Sequence, residues 1–251
     1  MSISRPTLSL LCSALALALA IPVAAADLPT GSPKSQGLSA ERLGRIHGVL
    51  QNEIDTNRMP GAVVLVARKG VITHAETIGF QDKAAAKPLQ RDAIFRAYSM
   101  TKPLVSVLTM MLVEEGKLQL ADPVSKFFPQ MAKMQVLANP ADANSATVPA
   151  ARAITVQDLL RHTSGLTYAE FTRSPAMKAA YQDVGLFSTE TPFKSMKISP
   201  QEQVEAFSKA PLLWQPGSTW EYSLSTDLLG RVLEAVTNQP LHVALDEKLL
   251  Q

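Results

Sequence analysis

Residues 98–103 of this 251-residue chain read Tyr98-Ser99-Met100-Thr101-Lys102-Pro103, an S-x-x-K tetrad that runs into Leu104, Val105, Val107, Leu108, Met111 and Leu112 ahead of Gly116. The apolar spacing predicts a buried helix that Gly116 stops. Pro103 has no N–H to contribute and fits only the first turn, so the helix starts at or just after Ser99. Residues three apart on a helix share a face, which turns Ser99 and Lys102 the same way. A serine hydroxyl attacks only once a base takes its proton, and a lysine one turn away can be that base if desolvation lowers its pKa. The helix start adds N–H groups and a positive dipole end, both suited to a developing oxyanion. Taken alone, the tetrad equally describes a surface serine beside a solvated lysine.

Upstream, Asp27 to Gly37 is rich in Pro, Gly and Ser and reads as a flexible lead-in. Ser39 then caps a helix with Leu43, Ile46, Val49, Leu50 and Ile54 on one face. Ala62–Ala67 and Val71–Ile78 are β-branched runs separated by Arg68, Lys69 and Gly70, the pattern of a hairpin. A lone hairpin is marginal in water, so this one needs further strands. At the extreme N-terminus Arg5 precedes the apolar stretch Leu8–Ala20, which ends in the small residues Ala24, Ala25 and Ala26. This predicts a secretory signal over 1–26, a mature chain over 27–251, and a periplasmic or secreted location. The stretch is too short to span a bilayer, so no stable membrane insertion is expected after cleavage.

The single cysteine, Cys12, lies inside that signal. The mature chain therefore lacks disulfides, thiol catalysis and thiolate metal sites. His47, His74 and His242 have no partners at metal-ligand spacing, and neither metal nor organic cofactor is expected. With 46% hydrophobic and 18% charged residues the composition is that of a globular protein. The formal net charge of +2 carries no Lys/Arg run, which argues against nucleic acid as a partner.

Downstream, Leu118 to Pro211 is interrupted by seven prolines between Pro123 and Pro200 and has no strand alternation, which predicts a mostly helical layer. A last helix is expected over about Thr226–Val236, capped near Ser225, with another apolar segment at Leu241–Leu250. Just before it, Pro216-Gly217-Ser218-Thr219-Trp220-Glu221-Tyr222-Ser223 forms a turn and short extended segment. Tyr222 can project from there into a cleft, or be a half-buried tyrosine whose hydroxyl finds a backbone partner.

Three stretches occur in order: the tetrad at 98–103, Leu159-Leu160-Arg161-His162-Thr163-Ser164-Gly165-Leu166, and Pro216-Gly217 followed by Tyr222-Ser223. In order and approximate spacing they resemble the class C β-lactamase-like and penicillin-binding serine hydrolases, nearest the family VIII-type carboxylesterases. The likeness extends from about Gly37 to the last residue. It implies an α/β, two-layer β-lactamase/transpeptidase-like fold. It also implies Ser99 as acylated nucleophile, Lys102 as its proton acceptor and Tyr222 as the proton relay. The 159–166 stretch is implied to shape a loop, with His162 structural.

The β-lactamases and peptidases of this superfamily carry Asn two residues after the tyrosine, where this chain has Leu224. Leucine cannot bind a substrate amide, so the likeness implies a small-molecule ester substrate, with β-lactam cleavage at most a side activity. The alternatives are a β-lactamase or D-amino-acid peptidase, and a truncated non-catalytic binder or pseudoenzyme. The oligomeric state has no signature in the sequence.

Family members continue past the position matched by Gln251, into sheet strands carrying a Lys/His-Thr-Gly or Trp-x-Gly motif that this sequence lacks. The expectation is a domain incomplete at its C-terminus, with part of the sheet and one oxyanion donor absent; losing such a donor typically costs about 10²- to 10³-fold in rate. A tyrosine base near neutrality must fall by about 3 units from about 10, or about 4 kcal/mol. One exposed cation supplies about 1 kcal/mol at most, so a buried cluster is required. The hairpin would expose an apolar face and an unpaired edge. The polypeptide made alone is therefore expected to be poorly stable and weakly active or inactive.

Overall fold

The computed structural model describes residues 28–190 and 198–250. The export signal expected over 1–26 lies outside the described residues. The sequence reading takes 27–251 as one domain; the described chain forms two compact units that part between Arg96 and Ala97.

In the first unit, α1 (Ala40–Asp55) begins at Ser39, whose side chain accepts from the Arg42 N–H, the cap expected from sequence. It packs against β1 (Gly61–Arg68) and β2 (Val71–Asp82). These strands pair antiparallel, with Ala62 opposite Ile78 and a register shift at Val66/Ala67. Lys69 and Gly70 both take positive φ, which suits the two-residue turn whose twist matches the flanking strands. A short β3 (Lys87–Pro88) pairs with the end of β2. Among the described residues, β1 has β2 as its only strand partner, and Leu65 stands 50% exposed on it. The expected flexible lead-in is instead tied down. Thr30 bridges to Ile72, and Pro33–Gln36 form a 3-10 turn capped by Ser32 and closed by Gly37.

The second unit is built around α2 (Thr101–Glu114), which places Pro103 in its first turn as the missing N–H demands. The stretch expected to be mostly helical also holds strands that the sequence did not signal: β4 (Gln135–Leu137) and β5 (Thr147–Pro149) form an antiparallel pair, and Val136 bridges to Leu212. Strands of three residues are too short to display alternation, which is why the pattern is absent from the sequence. The helices α3 (Val156–Arg161), α4 (Pro175–Asp183) and α5 (Pro200–Lys209) follow. Then come α6 (Ser225–Thr237) and α7 (Leu241–Leu245), the latter running into a π-turn at Asp246–Leu250.

α6 packs against α2, α3, α5 and α7. Leu108 and Leu112 of α2, Leu159 of α3, Phe207 of α5 and Leu228, Leu229 and Leu233 of α6 are all fully buried there. Burying a side chain of this size contributes about 1.5–3 kcal/mol, so this core anchors the segments on either side of the site. No helix of the described residues is long and apolar enough to cross a membrane.

Candidate active site

Ser99 occupies a 3-10 turn, Tyr98–Met100, immediately before α2. Tyr98 takes φ +46°, a left-handed conformation unusual for a residue with a Cβ. Lys102, the second residue of α2, sends its Nζ back to Ser99 Oγ at 3.2 Å. The serine and amine therefore share one helix face, as their spacing requires.

Tyr222 arrives on a separate segment, and the docking of two loops places it. The Glu221 N–H donates to the His162 carbonyl at 2.9 Å and the Gly217 N–H to the Thr163 carbonyl at 2.7 Å. The Ser223 N–H donates to His162 Nδ1 at 3.3 Å. Below these, the hydroxyls of Ser164, Ser223 and Ser225 form a buried chain with 2.7 Å links. Ser225 is thus the first residue of α6 and spends its hydroxyl on this chain, while Leu224 is the N-cap without a side-chain cap. The cap expected at Ser225 is replaced by a tertiary bond.

Held this way, the Tyr222 hydroxyl hydrogen-bonds Ser99 Oγ. Its ring lies 5.0 Å from His162 and 5.5 Å from Tyr168, centroid to centroid, with Lys102 Nζ 4.7 Å from its own centroid. The structure therefore brings Ser99, Lys102 and Tyr222 together. His162 faces the back of the tyrosine ring and makes no hydrogen bond to Ser99 or Lys102. Burial and the Lys102 charge lower its pKa, so the imidazole is neutral near pH 7. With Nδ1 accepting from Ser223, its proton sits on Nε2.

Two participants have no counterpart among the residues singled out from sequence. The Tyr168 hydroxyl accepts from Lys102 Nζ at 3.3 Å and is coupled electrostatically to Asp227, which lies in the first turn of α6. Tyr168 stands only two residues beyond the 159–166 stretch, and Asp227 is an acidic residue in the first turn of an amphipathic helix. Those positions were the available signals.

The electrostatics favour the charged form of Lys102. Burial disfavours the Lys102 cation, but hydrogen bonds and charge from the Tyr222 and Tyr168 phenols outweigh it and leave its pKa raised. For Tyr222, burial pushes the phenol up, and hydrogen bonds from Lys102 and Ser99 with the Lys102 charge more than reverse this, leaving it below 10. The sequence reading of Lys102 as proton acceptor relies on desolvation lowering its pKa, and here the two phenols act against that desolvation.

A cavity of about 630 Å³ opens onto these groups and is also lined by Val105, Phe171, Leu224, Asp227 and Arg231. Leu224 is 6% exposed, so its side chain forms an apolar wall where an asparagine amide would otherwise face substrate. Among the described residues, no group of three or more His, Cys, Asp or Glu side chains is arranged to hold a metal ion.

The fold is that of the β-lactamase-like serine hydrolases. Residues 46–251 match the family model described as Beta-lactamase, and the chain belongs to that family. It is 38% identical over 196 residues to Protein Rv1367c of Mycobacterium tuberculosis, covering 78% of this chain and 46% of that protein. It is 33% identical over 220 residues to Esterase EstB of Burkholderia gladioli, covering 87% and 52%. Among solved structures, EstCE1, a hydrolase with promiscuous acyltransferase activity, superposes with a TM-score of 0.69 at 32% identity, covering 83% of this chain and 50% of that one. The chain thus spans about half the length of the curated relatives it matches.

Proposed function

We propose that this chain carries the nucleophile and proton-transfer groups of an exported serine hydrolase that cleaves small-molecule carboxylic esters through a Ser99 acyl-enzyme. The observation that carries the reading is the convergence of Ser99, Lys102 and Tyr222 from two segments 123 residues apart. In the reactive state the Tyr222 phenolate accepts the Ser99 proton as Oγ attacks the ester carbonyl. The resulting tetrahedral intermediate collapses as the carbon–alkoxy bond breaks, and Tyr222 returns the proton to the leaving alcohol. Water then attacks the acyl-enzyme, giving a proton to Tyr222, which passes it to Ser99 Oγ as the carboxylic acid departs. Lys102 stays an ammonium throughout and stabilises the phenolate.

Esters are favoured over amides by Leu224, because a buried leucine offers no partner to a substrate amide. The similarity to Esterase EstB supports the same substrate class. The test is hydrolysis of short p-nitrophenyl esters beside nitrocefin, with Ser99→Ala as control. Ester cleavage that Ser99→Ala abolishes is expected; efficient nitrocefin turnover without ester cleavage would overturn the ester assignment.

A further inference from the structure

We propose that Tyr168, backed by Asp227, is a positioning residue that holds the Lys102 ammonium against Tyr222 and Ser99; the inference rests on the hydrolase reading and deepens the same site. An ammonium has three N–H donors and no acceptor. Lys102 donates to two oxygens, Ser99 Oγ at 3.2 Å and Tyr168 OH at 3.3 Å, and its Nζ lies 4.7 Å from the Tyr222 ring centroid. Removing either oxygen leaves the ammonium free to swing about its flexible stem.

The two phenols on this ammonium are not equivalent. Tyr222 touches Ser99, whereas Tyr168 makes no hydrogen bond to Ser99 and feels the Asp227 carboxylate. Accepting from Lys102 leaves the Tyr168 hydroxyl its own proton to donate, and the Asp227 carboxylate favours keeping it. Tyr168 is therefore an anchor and Tyr222 the group that ionises. The surroundings drive them apart in the same sense. Burial and the Asp227 charge push the Tyr168 phenol up, while Tyr222 lies below its ordinary value. A pair of titratable groups separated by environment in this way divides the roles between them.

The other ionisable groups facing the cluster are His162, Glu170 and Arg231. His162 is neutral near pH 7, and Arg231 is ion-paired to Glu234 at 2.9 Å. Asp227, whose own pKa burial raises, is the carboxylate that acts on Tyr168.

The chain has four tyrosines, Tyr98, Tyr168, Tyr181 and Tyr222. Their 13C-labelled ring signals can be followed one by one through a pH titration of the full chain. In Tyr168→Phe the Tyr222 titration should move to higher pH, and the acidic limb of kcat/KM for a p-nitrophenyl ester should move with it. kcat should fall about 10- to 100-fold with KM nearly unchanged, the cost of a misplaced catalytic group. Asp227→Asn, which keeps an acceptor but removes the charge, should shift both in the same direction by less.

The fully buried Tyr181 reports the fold, and its signal should stay in place in both variants. An unmoved Tyr222 titration in Tyr168→Phe overturns the proposal, whatever the variant does to activity or melting temperature. Failure of the hydrolase reading looks different: ester cleavage that survives Ser99→Ala. The tyrosine titration still decides the role of Tyr168 in that case.

Discussion

His162 Nδ1 accepts the Ser223 backbone N–H at 3.3 Å while the imidazole lies 5.0 Å from the Tyr222 ring. One side chain thus satisfies the backbone next to the tyrosine and backs its ring. His162 is also the left-handed C-cap of α3, at φ +56°. His162→Ala leaves the Ser223 N–H without its acceptor and opens a void behind Tyr222. The expected cost is about 1–3 kcal/mol in urea denaturation. His162→Asn, which tolerates positive φ and retains an acceptor, should lose less. If the imidazole were instead the base, ester cleavage would titrate near its pKa, and the pH–rate profile separates the two roles.

The acidic limb of the rate profile belongs to Tyr222. Its pKa lies below 10 because Lys102 and Ser99 favour the phenolate against the penalty of burial. Rates should therefore rise with pH through that lowered value and level off above it. Lys102→Met removes the cation, so the limb should move up toward the ordinary tyrosine range. Tyr222→Phe removes the proton acceptor and should lower kcat about 10²- to 10⁴-fold. A limb that stays put in Lys102→Met would show that the ammonium does not set the phenol.

Much of this arrangement is legible in the sequence, and what is not has identifiable causes. Ser99 and Lys102 lie three apart on one helix, so their juxtaposition follows from local geometry. The Ser39 cap and the Lys69-Gly70 turn are likewise local signals. Tyr168 and Asp227 meet Lys102 only through tertiary packing, and neither carries a pattern that distinguishes it from an ordinary aromatic or a first-turn acid. Ser225 misleads for the same reason. Its cap-like position is real, but two buried serines compete for the hydroxyl and win. The Lys102 proton state depends also on two phenols that arrive from elsewhere, which burial alone leaves out.

Asp158 is the electrostatic anchor of the 159–166 loop. Its carboxylate takes two bonds from Arg152, at 2.6 and 2.8 Å, and accepts from the hydroxyls of Thr155 and Thr163. Burial raises its pKa, but these partners outweigh burial and bring it from 3.8 to about 2. A carboxylate depressed in the folded state stabilises above its unfolded pKa and loses that contribution as pH falls through its folded value. About 2 kcal/mol should therefore be present at pH 5 and disappear between about pH 4 and pH 2. Asp158→Ala breaks a buried pair and should cost about 3–5 kcal/mol at pH 7. Denaturant midpoints for the two proteins should converge as pH drops toward 2; a constant gap would place the stabilisation elsewhere.

Gly165 supplies the closest backbone approach beneath the site. It takes φ +86°, and a Cβ there would run into the Trp214 carbonyl oxygen, a backbone atom that cannot rotate away. The same residue accepts the Leu213 N–H at 2.8 Å, so the 159–166 loop and the segment leading to Tyr222 are joined where any side chain would force them apart. Gly165→Ala combines a strained left-handed conformation with that collision. Strain of the first kind alone is about 1–3 kcal/mol. The expected result is a large fall in the urea midpoint together with slower fluorophosphonate labelling of Ser99, because Tyr222 moves with the displaced segment. Gly116, also at positive φ but with open space around it, is the matched control. Gly116→Ala should lower the midpoint by the conformational strain alone and leave Ser99 labelling unchanged, so equal labelling losses in both variants would refute the packing account.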